Sequence, residues 1–323
     1  VTLATRPRLR LFLAVVLILL SGGPLVIALA SLSGHGHRWV DILAQFVGPA
    51  LVAATLLVGA ALLLRSKVAV GVTGLVLATV IAAGSPQWLP TRGWAAKEPG
   101  FTLYFANLYV GNDDVETIAR SVEDANADIV VLIEIGDGVR PGLDRVLADY
   151  PYRTSTPRVE GGAGPSTMLI ASRWPLTPRP IELTHMFAVA AEVETPSGPV
   201  TIGGIHLTRP WPFQYQWAQI IQTQGLLEWR KGVEGPLVLA GDFNSVSSAR
   251  IGRMIRSEGG LIAAPGWPGT WPSFLPAWAG MTIDQVYRTP DIALTRRRVG
   301  RDNGSDHRPV VVRMVRSAGT PAA

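Results

Sequence analysis

At 323 residues the chain has room for one large domain or two ordinary ones, and a mean hydropathy of +0.27 implies that part of it does not face water. It has no cysteine, which excludes a disulfide framework, a thiolate metal site and a thiol nucleophile, so any metal must be held by oxygen or imidazole. The net charge of +5 points to nucleic acid only when the chain is taken whole: residues 1–99 hold 8 Lys/Arg against 2 Asp/Glu, and the remainder is balanced at 21 against 22.

Three apolar stretches open the chain, at 11–32, 42–64 and 68–83. The first two are long enough to cross a hydrocarbon core of about 30 Å as helices, and the third is so if it runs on towards Leu89. Residues 1–90 are therefore read as a transmembrane anchor of three helices. A signal peptide competes for the first stretch, because Arg6, Arg8 and Arg10 precede it and Ala28, Ala30 and Ser31 end it; the two further apolar segments argue against that reading. Ser21-Gly22-Gly23-Pro24 predicts a kink, which membrane helices tolerate. Arg6, Arg8 and Arg10 before the first helix, and Arg65 and Lys67 between the second and third, put the N-terminus in the cytoplasm and everything beyond about residue 90 outside it. Trp39 and Trp88 fall where interfacial anchors are expected, and Val1 reads as a GTG start codon.

Residues 91–100, rich in Pro and Gly, read as a short juxtamembrane linker, 101–317 as a catalytic domain and 318–323 as a flexible tail. In the domain, strand-like runs alternate with helical patterns: strands at 101–108, 128–135, 166–171, 188–194, 200–207, 237–241, 282–287 and 309–314, with helices at 115–126 and 213–230. This is an α/β pattern, with polar residues recurring at strand ends, where layered α/β proteins build their sites.

Six of those strand-end segments occur in a telling order. Asn107 ends the first strand, Glu134 follows the apolar run of VVLIE and His206 closes TIGGIHL. Gly241-Asp242-Phe243-Asn244, Ile283-Asp284-Gln285-Val286 and Ser305-Asp306-His307-Arg308-Pro309 complete the set. Each alone has an ordinary reading as a turn or a cap. Glu134 is the hardest to set aside, because a carboxylate at the buried end of a strand is costly unless paired or metal-bound.

Taken together and in this order, the segments resemble the endonuclease/exonuclease/phosphatase superfamily over essentially all of 101–316. The resemblance implies a four-layered α/β sandwich behind the three transmembrane helices, and a hydrolase acting on phosphoester bonds. It implies Mg²⁺, or Mn²⁺ in its place, held mainly by Glu134 with Asn107 and Asp306 nearby. By the same resemblance His307 lies against the scissile phosphate and is oriented by Asp284, while Asp242 positions or deprotonates the attacking water. Asn244 would donate to the phosphate, and His206 would bond a phosphate oxygen or assist the leaving group. The choice of general base stays open between Asp242 and His307. These residue types suit an anionic ester: a divalent cation neutralises phosphoryl oxygens, Mg²⁺ prefers oxygen ligands, and imidazole titrates near neutrality. Gln285 departs from membrane-anchored relatives, which often carry histidine after this aspartate.

An anchor, a short linker and this domain resemble the bacterial membrane-anchored branch that includes the VanJ-type proteins associated with teicoplanin resistance. The expected activity is hydrolysis of a phosphate ester or pyrophosphate on a cell-envelope or lipid-linked substrate, outside the cytoplasm and at the lipid bilayer. An extracytoplasmic nuclease is the alternative, set back by the neutral domain; a non-catalytic protein binding an envelope component or antibiotic is the third. Arg296–Arg298 is expected to be a solvated loop. Aromatic and proline residues at 210–213 and 267–274 have three readings: stacking on nucleobases, holding a lipid-linked substrate, or loop packing.

Overall fold

A computed structural model describes residues 7–90, 93, 99–157, 159–161, 164–181, 187–212 and 215–317. Most of the expected linker 91–100, the tail 318–323, Arg6 and Phe213 lie outside the described residues. The chain forms two compact units: Val1–Leu89 with Ser248–Arg250, and Pro90–Ser247 with Ile251–Ala323.

The first unit is helical: α1 (Pro7–Leu20), α2 (Gly22–Ser33), α3 (Arg38–Ala44), α4 (Val47–Leu64) and α5 (Lys67–Trp88). Three spans, Pro7–Ser33, Val47–Leu64 and Lys67–Trp88, are long and apolar enough to cross a membrane. The expected kink falls at Ser21, between α1 and α2, where Pro24 lacks the N–H that would bond back along the helix. The second apolar stretch does not start at residue 42 as expected. That residue belongs to α3, which ends in tight turns as Gln45 N–H and Phe46 N–H bond back to the carbonyls of Ile42 and Leu43. The third stretch runs on to Trp88, giving it spanning length. Arg10 Nε donates to the Leu64 carbonyl at 3.1 Å, and its guanidinium also reaches the Arg65 carbonyl. The start of α1 and the α4–α5 turn thus meet at one end of the bundle.

The second unit contains, in chain order, β1 (Phe101–Asn107), α6 (Val115–Ala125), β2 (Ile129–Ile135), α7 (Leu143–Val146), β3 (Tyr152–Ser155), β4 (Val159–Gly161), β5 (Gly164–Ser172), β6 (Leu176–Arg179), β7 (Phe187–Thr195) and β8 (Gly198–His206). It continues with α8 (Gln216–Lys231), β9 (Leu237–Asp242), α9 (Arg250–Ser257), β10 (Ile262–Ala263), β11 (Asp284–Arg288), β12 (Ile292–Val299) and β13 (Val310–Arg316). One sheet has the order β12-β13-β1-β2-β5-β3, with β4 added to β5, and the other β10-β11-β9-β8-β7-β6.

Strand parity explains the layers. Phe101, Leu103 and Phe105 of β1 and Ile129, Val131 and Ile133 of β2 point into one core with Val238, Ala240 and Val312, between the sheets. Their neighbours Tyr104, Ala106, Val130 and Leu132 point the other way, against Ile118 and Val122 of α6. On the outer face of the second sheet, Leu237 and Leu239 meet Leu226 of α8 and Ile255 of α9. Helix, sheet, sheet and helix make a four-layered α/β sandwich.

Five short or edge strands, β3, β4, β6, β10 and β12, were not anticipated from the sequence. The clearest correction is Arg296–Arg298: they lie in β12, not in a solvated loop. Arg297 donates to the Pro268 carbonyl at 2.7 Å, and Arg298 pairs with Asp124 at 3.6 Å.

Candidate active site

Topology gathers the motif residues at one edge of the two sheets. β1 and β2 run parallel, so Asn107 and Glu134 lie at the same end. β8 and β9 are also parallel, with His206 directly opposite Asp242. Antiparallel β11 begins with Asp284 opposite Asp242, and antiparallel β13 begins beside the end of β1, bringing the preceding segment 305–309 to the same edge. Gly241 permits the close approach of β8 and β9: a Cβ there would come within 2.0 Å of the Ile205 carbonyl oxygen.

Glu134 is presented by a bulge. Its φ of +53° is unusual for a residue with a side chain, and the register with β5 shifts between Leu132 and Ile135. The parity of β2 breaks there: Ile133 faces the central core, yet Ile135, two residues on, faces the outer one. Backbone strain at this position aims a carboxylate along the sheet edge, where a regular strand would have pointed it elsewhere. Asn244, at φ +46°, closes the turn after Asp242, its N–H donating to Asp242 Oδ1 at 2.8 Å.

The resulting cluster is compact. His206 Nε2 lies 3.3 Å from Glu134 Oε1 and 4.0 Å from Asp242 Oδ2. His307 Nδ1 is 2.9 Å from Asp284 Oδ2, and its Nε2 is 3.8 Å from Asp242 Oδ2. Asn107 Nδ2 donates to Glu134 Oε1 at 3.0 Å and to Asp242 Oδ2 at 3.3 Å. In this orientation Asn107 serves the carboxylates as a donor, its Oδ1 being taken by Tyr109 N–H at 2.9 Å; to ligate a metal the amide must turn over. Asn244 Nδ2 bonds the Leu207 carbonyl at 2.9 Å and Asp242 Oδ2 at 3.3 Å, so as placed it orients Asp242.

Asp306 stands apart. It is half-exposed, with Oδ1 4.0 Å from His307 Nε2 and Oδ2 accepting from Trp271 Nε1 at 3.4 Å, and it joins neither of the two groups with metal-ligating geometry among the described residues. Those groups are Glu134, His206 and Asp242, and Asp242, Asp284 and His307. Gln285 also turns away from the cluster, its side-chain amide donating to the Thr282 carbonyl.

The electrostatics divide the proton-carrying roles. Burial disfavours a protonated His307, but the carboxylates of Asp284, Asp242 and Asp306 and the Asp284 hydrogen bond outweigh it, and the ring's pKa is pushed up to about 10. Burial, with the negative charge of Asp284, raises Asp242 to about 6 against the opposing pull of His307 and His206. Glu134 is penalised by burial, yet His206, the Asn107 amide, His307 and Val110 N–H together hold it below the ordinary range. The cluster is rich in carboxylates, with Glu134, Asp242 and Asp284 set around two imidazoles. This donor set of hard oxygens and imidazole fits a divalent cation.

Several supporting residues escaped sequence reasoning because their roles are long-range. Buried Gln219 of α8 donates to the carbonyls of Phe243 and Asn244 at 2.9 and 3.1 Å, holding the Asp242 turn. Asn112 donates to the Asn303 carbonyl at 3.0 Å, and Ser305 Oγ accepts from His307 N–H at 3.1 Å, fixing the loop that carries His307. Only the Ser305 position carried a local signal, in its SDH motif.

Comparison with known proteins agrees with this architecture. An endonuclease/exonuclease/phosphatase from Beutenbergia cavernae DSM 12333 superimposes with a TM-score of 0.54 at 21% identity, covering 69% of this chain and 73% of its own. A second, from Bacteroides vulgatus, gives 0.55 at 17% identity over 68% and 100%. Humanized D. rerio TDP2 gives 0.52 at 14% over 67% and 98%. At these identities the likeness concerns the fold. No curated protein matches the chain as a relative. The profile of the Endonuclease/Exonuclease/phosphatase family matches residues 105–307, which span every one of the motif residues. The chain belongs to the endonuclease/exonuclease/phosphatase family, whose members hydrolyse phosphoester bonds and generally use a divalent metal.

Proposed function

We propose that the protein is a membrane-anchored, metal-dependent phosphoesterase that hydrolyses a phosphate ester or pyrophosphate on a cell-envelope or lipid-linked molecule outside the cytoplasm. The observation that carries the chemistry is the convergence of Glu134, His206, Asp242, Asp284 and His307 at one edge of the two sheets, in two groups with metal-ligating geometry. Glu134, with Asn107 once its amide turns over, would hold the cation. When bound, it would neutralise phosphoryl oxygens and stabilise the departing oxygen.

The protein groups then have distinct tasks. Asp284 holds His307 by Nδ1 and keeps it protonated, so that Nε2–H donates to a phosphoryl oxygen. An imidazolium of that stability is a poor base near neutrality, which leaves Asp242, titrating near 6, to take the proton from the attacking water. His206, facing Glu134, is placed to bond the phosphate or the leaving oxygen.

The location rests on separate support. Arg8, Arg10, Arg65 and Lys67 gather at one end of the helical bundle, which by the positive-inside tendency is the cytoplasmic end. After three crossings the phosphoesterase domain would be outside. A nuclease needs a basic surface for the phosphate backbone, and the neutral balance beyond residue 99 does not favour one. The resemblance to the VanJ-type branch agrees with an envelope substrate.

The test is a substrate panel on the full chain in nanodiscs with Mg²⁺, with Glu134→Ala as blank. Lipid phosphates and pyrophosphates should release phosphate and DNA should not; cleavage of DNA alone would overturn the substrate class. A C-terminal reporter active only outside the cytoplasm should give signal, and signal from a cytoplasmic counterpart would reverse the orientation.

A further inference from the structure

The loop between β10 and β11 is uncharged and rich in aromatic residues and proline. No charged residue occurs between Glu258 and Asp284, and residues 266–281 carry three tryptophans, a phenylalanine, a leucine and three prolines. Such a loop would ordinarily collapse to bury its apolar side chains. Here Phe274 is 82% exposed, Trp278 51% and Trp267 50%.

The display is imposed by the backbone's anchorage. Arg308 donates to the carbonyls of Pro272, Ser273 and Leu275, and Arg297 to that of Pro268. Ser273 N–H donates to the Asp306 carbonyl at 2.8 Å, and Ser273 Oγ to that of Ser305 at 2.8 Å. The middle of the loop is thus held by the segment that carries Asp306 and His307, and Phe274, Leu275 and Trp278 are left facing outwards. Trp271 closes the connection, its ring centroid 6.5 Å from that of His307.

We infer that this loop docks into the interface of the lipid bilayer and thereby presents the site to phosphates at headgroup depth. Three observations favour lipid over a protein or a free apolar ligand. An uncharged stretch with exposed tryptophan and phenylalanine has the composition of an interfacial anchor. The same chain carries three candidate spans. Only eleven residues separate Leu89 from Phe101, a tether of at most ~40 Å, so a bilayer surface is always within the domain's reach. The substrate class that follows is a phosphate borne by a membrane lipid rather than a soluble ester. That last step rests on the proposed phosphoesterase activity; the docking rests on the membrane anchorage alone.

The absence of cysteine makes the test direct. Full-length Phe274→Cys, labelled with an environment-sensitive fluorophore, is reconstituted in phosphatidylglycerol/phosphatidylethanolamine vesicles beside a Lys231→Cys control. The label at 274 should be quenched by doxyl lipids and shielded from iodide, and that at 231 the reverse. A label at 274 open to iodide, or closed to both quenchers as beneath a protein partner, overturns the inference. In parallel, Phe274→Ser with Trp278→Ser should lower hydrolysis of vesicle-embedded phosphatidic acid at least ~10-fold, while leaving soluble phenyl phosphate within ~2-fold. Equal loss on both substrates would mean that the loop shapes the site and does not dock it. If neither substrate is hydrolysed, the proposed function fails, and the quenching result still decides the docking.

Discussion

The two units follow opposite rules of burial. In the helical unit many buried positions are small, Ala28, Ala50, Ala54, Ala61, Ala69 and Ala83 beside Val47, Val76 and Val80, whereas Leu11, Leu19, Leu56, Leu63 and Leu75 point outwards. In the sandwich the large side chains Phe101, Leu103, Tyr104 and Phe105 are buried. Water drives large apolar groups inwards; lipid does not, and close helix contact then depends on small residues. The contrast agrees with a lipid-facing helical unit and a water-facing sandwich, and the loop at 266–281, with Phe274 82% exposed, is one place where the sandwich departs from its own rule.

The largest expected effect lies at the site that only the sandwich carries. Glu134→Gln removes a carboxylate from the metal-ligating group and should lower phosphate release by ~10²–10³-fold or more, with the circular dichroism spectrum unchanged. The burial contrast itself is broken or sharpened by core variants. Leu103→Ala, fully buried, should cost about 2–5 kcal/mol of stability. Leu63→Ala, at 86% exposure, should stay within ~0.5 kcal/mol in lipid, whereas Ala54→Leu at the helix contact should cost about 1–3 kcal/mol. Denaturation in nanodiscs measures all three, and a large effect of Leu63→Ala would contradict the lipid-facing assignment.

The pH profile separates the two proton roles. Asp242 must be ionised to accept a proton, so kcat/KM should rise about tenfold per unit below pH 6 and level off above it. His307 must keep its proton, so activity should fall as pH passes about 10. Asp284→Asn should move that alkaline limb down, because it removes the carboxylate nearest Nδ1. The smallest effect is expected at Asp306. Its half-exposed carboxylate is 4.0 Å from His307, an interaction screened to about 1 kcal/mol or less, so Asp306→Asn should cost under ~10-fold in kcat/KM.

Much of this was legible in the sequence, for physical reasons that differ by residue. The apolar run before Glu134 marked both a buried strand and an expensive carboxylate at its end, and the parallel pairing of β1 with β2 places Asn107 beside it. Asp284 and His307 are 23 residues apart, and their pairing at 2.9 Å was implied by resemblance, not by spacing. Other features had no local signal. Three successive arginines look like a solvated loop, yet strand alternation and the carbonyl of Pro268, 29 residues away, make Arg297 a half-buried brace. Helix α9 is only eight residues long and carries three arginines, so its buried Ile251 and Ile255 were too short a stripe to stand out. Asp306, expected near the metal by resemblance, accepts a hydrogen bond from Trp271 Nε1, an arrangement that depends on where the loop at 266–281 is anchored.

The central claim is that the Glu134 cluster performs metal-dependent phosphoester hydrolysis, and one measurement addresses it most directly. The full-length protein in nanodiscs is stripped with EDTA, assayed for phosphate release from vesicle-embedded phosphatidic acid and a lipid pyrophosphate, and then titrated with Mg²⁺. The account predicts no release after stripping, recovery that saturates with Mg²⁺, and no recovery in Glu134→Gln. Hydrolysis that persists in EDTA, or that Mg²⁺ restores equally in Glu134→Gln, would contradict it.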